Sequence, residues 1–191
     1  METYEIKLKN IAKLATEGKY TDLFTREIGR SVFLKLEEEI RKTKEGCVVV
    51  IDFLEIGAID YSCADEIFAR LILNLQHSDY GDKFVIFKNL SPHHKENINI
   101  VLEKKDLAVL VVEGNSWTVL GSLDNYLLQT LKTIMEEGKL SSPELSSRMN
   151  LALNTASMRL GNLSKLKLVR KKNSINSSGK RCFVYESIIN N

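Results

Sequence analysis

Residues 4–8 (YEIKL) alternate apolar and polar side chains, which predicts a half-buried strand, and a turn-like stretch follows around Gly18. Ile28, Val32, Leu36 and Ile40 then recur every four residues. That spacing lays one apolar stripe along a helix from about Asp22 to Lys44, with Lys42 and Lys44 placed where positive charge suits a helix C-terminus and Gly46 as a stop. Residues 47–53 (CVVVIDF) form a continuous β-branched run, expected to be a strand buried on both faces of a sheet covered by helices. Residues 60–66 (DYSCADE) open a second helix. Ser62 and Asp65 stand at capping-box spacing, with Ser62 or Asp60 as the cap, and Ala64, Ile67, Phe68, Leu71, Ile72 and Leu75 supply the buried side. Residues 83–87 predict another buried strand. Ser91 and Pro92 start a third helix to about Lys105, with His93 and His94 expected to be exposed in its first turn. Residues 107–113 and 116–121 flank Gly114-Asn115 as a hairpin whose second strand, carrying Trp117, lies at the sheet edge.

The pattern changes after Ser122. Leu127, Leu128, Leu131, Ile134 and Met135 mark the apolar side of a helix over residues 123–137. Ser142-Pro143 caps a short helix ending at Met149, and residues 154–165 form a longer one with Ala156, Leu160 and Leu163 inward. Leu166, Leu168 and Val169 complete that core. A polar insert over residues 170–181 separates two strand-like ends and predicts a hairpin. The expected fold is therefore a small mixed sheet with helices over residues 1–122, followed by a mainly α domain over residues 123–191.

Charge follows the same division. The net of +2 over 191 residues conceals 16 Lys and Arg against 20 Asp and Glu in residues 1–122, and 11 against 5 in residues 123–191. From Arg148 onward nine residues are basic and one, Glu186, is acidic. Such a tail calls for an anionic partner. Hydrophobic residues at 43% and charged residues at 27% describe a globular chain, without an apolar run of the ~20 residues that would span a bilayer. The first residues lack a basic segment followed by an apolar one, so no secretion signal is expected and the cytoplasm is the default compartment. Three scattered cysteines (Cys47, Cys63, Cys182) suit a reducing compartment, and with three histidines they offer no zinc-ligand spacing. Phosphate-cradling, dinucleotide and hydrolase motifs do not occur, so neither a cofactor nor an enzymatic reaction is expected. Arg26, Glu27 and Arg30 stand at helical spacings that predict a surface ion-pair cluster or a partner surface. Cys63 at a helix start is read as a buried thiol.

Residues 144–149 (ELSSRM), 154–160 (NTASMRL) and 163–169 (LSKLKLV), followed by the basic hairpin, resemble the winged helix-turn-helix domain of bacterial transcriptional regulators. That resemblance implies double-stranded DNA as partner. Asn154, Thr155, Ser157, Met158, Arg159, Asn162 and Lys165 would face a groove, and Lys171, Lys172, Lys180 and Arg181 would contact phosphates from the wing. Gly161 lies inside the recognition helix, and Lys167 stands where the family places a capping glycine. Residues 48–56 (VVVIDFLEI), 59–67 (IDYSCADEI) and Thr25-Arg26-Glu27-Ile28-Gly29-Arg30 resemble STAS domains, the fold of bacterial anti-sigma factor antagonists. This second resemblance implies a regulatory or partner-binding module, with Ser62 at the position of the antagonists' phosphorylatable serine. Together the two imply a DNA-binding regulator whose STAS-like domain senses a partner or signal, with a homodimer expected because one recognition helix reads few base pairs. The alternative is a partner-switching protein in which both domains bind proteins.

Overall fold

The computed structural model describes residues 2–175, 179 and 181–189. The chain divides into two compact units, Met1–Ser122 and Leu123–Asn191.

The first unit is an α/β layer. In chain order its elements are β1 (Thr3–Lys7), α1 (Leu8–Ala15), α2 (Arg26–Lys42), β2 (Val48–Asp52), α3 (Tyr61–Ala64), a π-turn (Asp65–Ala69), α4 (Arg70–Gln76), β3 (Phe84–Lys88), α5 (Pro92–Lys104), β4 (Ala108–Glu113) and β5 (Ser116–Gly121). The five strands lie in sequence order. The first four pair in parallel, and β5 returns antiparallel to β4 as the edge strand carrying Trp117. Register aligns Ile6, Ile51, Phe87 and Val111 across four strands. That face joins Val32, Phe33, Leu36 and Ile40 of α2, and Ile67 and Phe68 of the π-turn, in one core. At its centre Phe53, Phe68 and Phe87 sit with ring centroids 5.2–5.4 Å apart. Val48 and Val50, on the other side of β2, are also buried, so that strand is covered on both faces.

Three expectations need correction here. The chain does not turn directly after β1; it forms α1, with Leu8, Ile11 and Ala12 buried. Eight residues with apolar positions at i, i+3 and i+4 make a real but short stripe, and the strand alternation running into Leu8 masks it. The following helix begins at Arg26 rather than near Asp22, because Leu23 is drawn into an isolated parallel bridge with Ile59. His94 is buried, whereas its neighbour His93 is exposed. His94 Nδ1 accepts the Ser91 backbone N–H at 3.2 Å, Ser91 Oγ accepts the His94 N–H at 3.2 Å, and Nε2 bonds the Gly57 carbonyl at 2.6 Å. The capping box is thus closed by an imidazole, which needs to be neutral to accept at Nδ1.

The start of α2 is fixed by the start of α3. Asp60 accepts the Cys63 N–H at 2.7 Å through Oδ1 and the Thr25 N–H at 3.1 Å through Oδ2. Asp60, not Ser62, is therefore the helix cap. Thr25 is held at φ 76°, a left-handed conformation that costs a β-branched residue about 1–3 kcal/mol. Its carbonyl accepts the Cys63 thiol at 2.9 Å. Burial and the adjacent Asp60 carboxylate push that thiol up to about 12, so Cys63 is a packed hydrophobe and a poor nucleophile. Gly29 lets the two helices approach: a β-carbon there would lie 3.0 Å from Cys63 Cα and 3.1 Å from Glu66 Cβ.

The second unit comprises α6 (Asn125–Glu137), β6 (Lys139–Ser141), α7 (Ser142–Met149), α8 (Leu153–Lys165), β7 (Val169–Ile175) and β8 (Arg181–Ser187). Its antiparallel sheet has the order β6-β8-β7. The hairpin is as expected, but β6 is not: three residues are too few to show an alternation. Leu131, Ile134, Leu145, Ala156, Leu160, Leu163 and Val169 are fully buried at its centre.

Two outcomes test this description. Gly29→Ala should destabilise the protein by about 1–2 kcal/mol despite alanine's helical preference, measured by urea unfolding, because the methyl group would press on the Cys63 backbone. Burial holds the His94 imidazole below its usual range. The unfolded chain therefore takes up a proton near pH 6.5 that the folded chain resists. Thermal stability should be complete above that pH and decline as pH falls below it, and His94→Asn should flatten the decline.

Candidate nucleic-acid interface

Two left-handed residues and one capping box set the position of α8. Ser141 and Glu144 close the start of α7: the Ser141 N–H and hydroxyl donate to Glu144 Oε2 at 2.7 and 2.6 Å, and these bonds hold the Glu144 carboxyl below its usual range. The cap is thus Ser141, one residue earlier than the Ser142-Pro143 pattern indicated. Asn150, at φ 50° and ψ 50°, ends α7 and turns the chain into α8. Lys167, at φ 58°, follows the far end of α8. There the Lys167 N–H bonds Ser164 O at 3.1 Å and the Leu168 N–H bonds Leu163 O at 3.1 Å, the paired pattern of a Schellman turn. A lysine takes the place that glycine usually fills, at some cost in backbone energy, and the turn still forms.

The faces of α8 are chemically distinct. Ala156, Leu160 and Leu163 are fully buried, while Asn154, Ser157, Met158 and Lys165 are exposed. With Gly161 these four recur at helical spacing, so one outward stripe carries short or flexible polar-tolerant side chains. Thr155 and Asn162 are half-buried at its margins. Arg159 is also half-buried. Its guanidinium lies 5.2 Å over the Tyr126 ring of α6, and its Nε is enclosed without a hydrogen-bond partner among the described residues. It is held against the helical core instead of standing free on the outward stripe.

The hairpin splits the predicted basic residues. Register pairs Lys171 with Tyr185, Asn173 with Phe183 and Ile175 with Arg181, so Lys171 and Arg181 share one face of the sheet. Lys172 pairs across from Val184 and therefore projects to the other. There it meets Glu186 at 2.7 Å, the one acidic residue of the tail. Lys171 lies 3.8 Å over the Phe183 ring, which is itself half exposed. Lys180 lies outside the described residues. The period-2 alternation of a strand was visible in the sequence and already forbids Lys171 and Lys172 from sharing a face; Tyr126 and Glu186, which hold Arg159 and Lys172, lacked any local signal.

Ser62, the regulatory phosphorylation candidate, is half-buried in α3. The helix, which runs on through the π-turn into α4, is already capped there by Asp60.

No family model matches the chain, and no curated protein does. Among solved structures, one similar chain is a "Possible transcriptional regulator from Methanosarcina mazei Go1", 12% identical over 41% of this chain and 73% of its own, with a TM-score of 0.32. A likeness of that size is weak and identifies neither a family nor a site. No helix among the described residues is long and apolar enough to cross a membrane.

Gly161 has open space where a β-carbon would stand. Gly161→Ala should stabilise the protein by about 1 kcal/mol, read as a higher urea midpoint with unchanged slope.

Proposed function

We propose that the protein is a non-enzymatic, cofactor-free, cytoplasmic regulator that binds duplex DNA through a winged-helix module formed by residues 123–191. In this reading a STAS-like domain, residues 1–122, senses a partner or signal. The observation that carries the proposal is α8. A helix can enter a major groove only if one face supplies a core and the opposite face stays uncovered and able to hydrogen-bond. Ala156, Leu160 and Leu163 meet the first condition, and Asn154, Ser157 and Lys165 the second, with Met158 uncovered among them. Lys171 and Arg181, on one face of the hairpin, supply phosphate contacts; Lys172, neutralised by Glu186, contributes less. Dimerisation extends the sequence read by each α8.

One observation favours the second reading, a partner-switching protein. Leu153, Met158, Ile175 and Phe183 are each half exposed or more, an apolar content suited to docking another protein.

Fluorescence anisotropy of the full-length protein with pooled genomic duplexes separates the two. DNA binding should weaken steeply with added salt, and Lys171→Gln or Arg181→Gln should each reduce the log–log salt slope by roughly 0.9. Lys172→Gln should change it less. Salt-insensitive or absent DNA binding, with a protein captured instead, would favour the second reading.

A further inference from the structure

The first unit holds a charged cluster that the DNA-binding reading does not use. The π-turn replaces an ordinary helical turn at Asp65–Ala69, a departure that often marks a functional position in a helix. It presents Asp65 and Glu66 with side chains only 15% and 11% exposed. Four cations from three separate parts of the chain converge on them. Arg26 reaches Glu66 at 3.2 Å and Asp65 at 3.4 Å, and Lys105 reaches Asp65 at 2.7 Å. Arg30 and Arg70 stop at 4.0 and 3.7 Å from Glu66. The Arg70 guanidinium is stacked 4.3 Å over the Phe33 ring. All eight side chains around the site, with Ala69 and Leu73 as its apolar part, line a cavity of about 270 Å³. The sequence placed Arg26 and Arg30 in a surface cluster with Glu27; their partners come instead from the π-turn.

The charge does not balance. Two carboxylates face four cations, leaving two positive charges in a cleft whose lining is mostly charged, with Ala69 and Leu73 as its apolar part. Arg26 hydrogen-bonds both carboxylates, and Lys105 stands 2.7 Å from Asp65 Oδ1 without hydrogen-bond geometry. Arg30 and Arg70 come no closer to Glu66 than an ion pair beyond hydrogen-bond distance, so their N–H forks keep donors for a further acceptor. Both remain about half exposed or more, at 64% and 46%. A planar fork pair with excess positive charge suits a tetrahedral dianion. The volume lies just below the roughly 300–1,000 Å³ of pockets for drug-sized ligands, which fits a phosphoryl group with a short substituent better than a whole nucleotide.

We propose that Arg30 and Arg70, backed by Arg26 and Lys105, bind a phosphate monoester, carried either by a small metabolite or by a phosphorylated side chain. This deepens the sensing half of the reading above and is independent of its DNA-binding half. Isothermal titration of the full-length protein with inorganic phosphate, O-phosphoserine, a phosphoserine peptide and unmodified serine tests it. Phosphoserine should bind saturably and serine should not. Arg30→Gln combined with Arg70→Gln should weaken phosphoserine by about tenfold or more, the scale of lost charge-assisted hydrogen bonds. Lys171→Gln combined with Arg181→Gln should leave phosphoserine binding unchanged, which excludes the basic hairpin as its site. Equal melting temperatures would show that the exposed arginine variants fold. Tighter binding of the peptide than of phosphoserine supports the site and assigns its ligand to a protein; equal binding supports the site and assigns it to a metabolite. Failure of every phosphate probe to bind, or undiminished binding in the arginine double variant, overturns the proposal. Phosphoserine binding that leaves DNA affinity unchanged upholds the site and removes only its coupling to DNA.

Discussion

Asp60 is the residue on which the first unit's surface depends. One carboxylate caps α3 through the Cys63 N–H and holds the Thr25 N–H, while the Asp60 backbone N–H bonds Leu23 O at 3.0 Å. The same few atoms therefore fix the start of two helices and the extended segment before one of them. The strained backbone of Thr25 survives because both of its polar backbone groups are engaged there. Strain of this kind persists only where the surroundings over-determine it. Its result is positional: α2 begins at Arg26, and that arginine stands over the π-turn carboxylates.

Gly29 and Cys63 complete this arrangement by steric means. α2 and α3 lie so close that a β-carbon at position 29 would press on Cys63 Cα at 3.0 Å, and the thiol packs beside it as a small buried group. Hydrogen bonding decides where the helices start, and size decides how closely they lie.

The strands and most helices were legible in the sequence because their signals are long. β2 shows five buried residues in a row, and α2 repeats its apolar stripe at four positions over about three turns. What escaped was short or non-local. α1 has two turns, and β6 three residues. Burial of His94 depends on the Gly57 carbonyl, 37 positions away, and the π-turn leaves the apolar spacing from Ala64 to Leu75 close enough to α-helical to pass for one helix. On the second unit, the inward residues of α8 followed directly from periodicity. The outward set was less accurate: Arg159 is detained by Tyr126, and Lys172 is answered by Glu186. Charge counted along a chain cannot separate the two faces of a strand, whereas register does.

The π-turn also carries a consequence for how the chain tolerates insertion and deletion. Successive residues of an α-helix advance by about 100° around its axis. A π-turn closes its hydrogen bonds one residue further along and so takes up an extra residue; removing one within Asp65–Ala69 would restore an ordinary α-turn and keep α4 in phase, whereas a deletion in the α-helical turns beyond it would swing the residues that follow by roughly that angle. The extra residue of the π-turn can thus be lost with Leu71, Ile72 and Leu75 still facing the core, while the carboxylates carried on the turn itself would be moved.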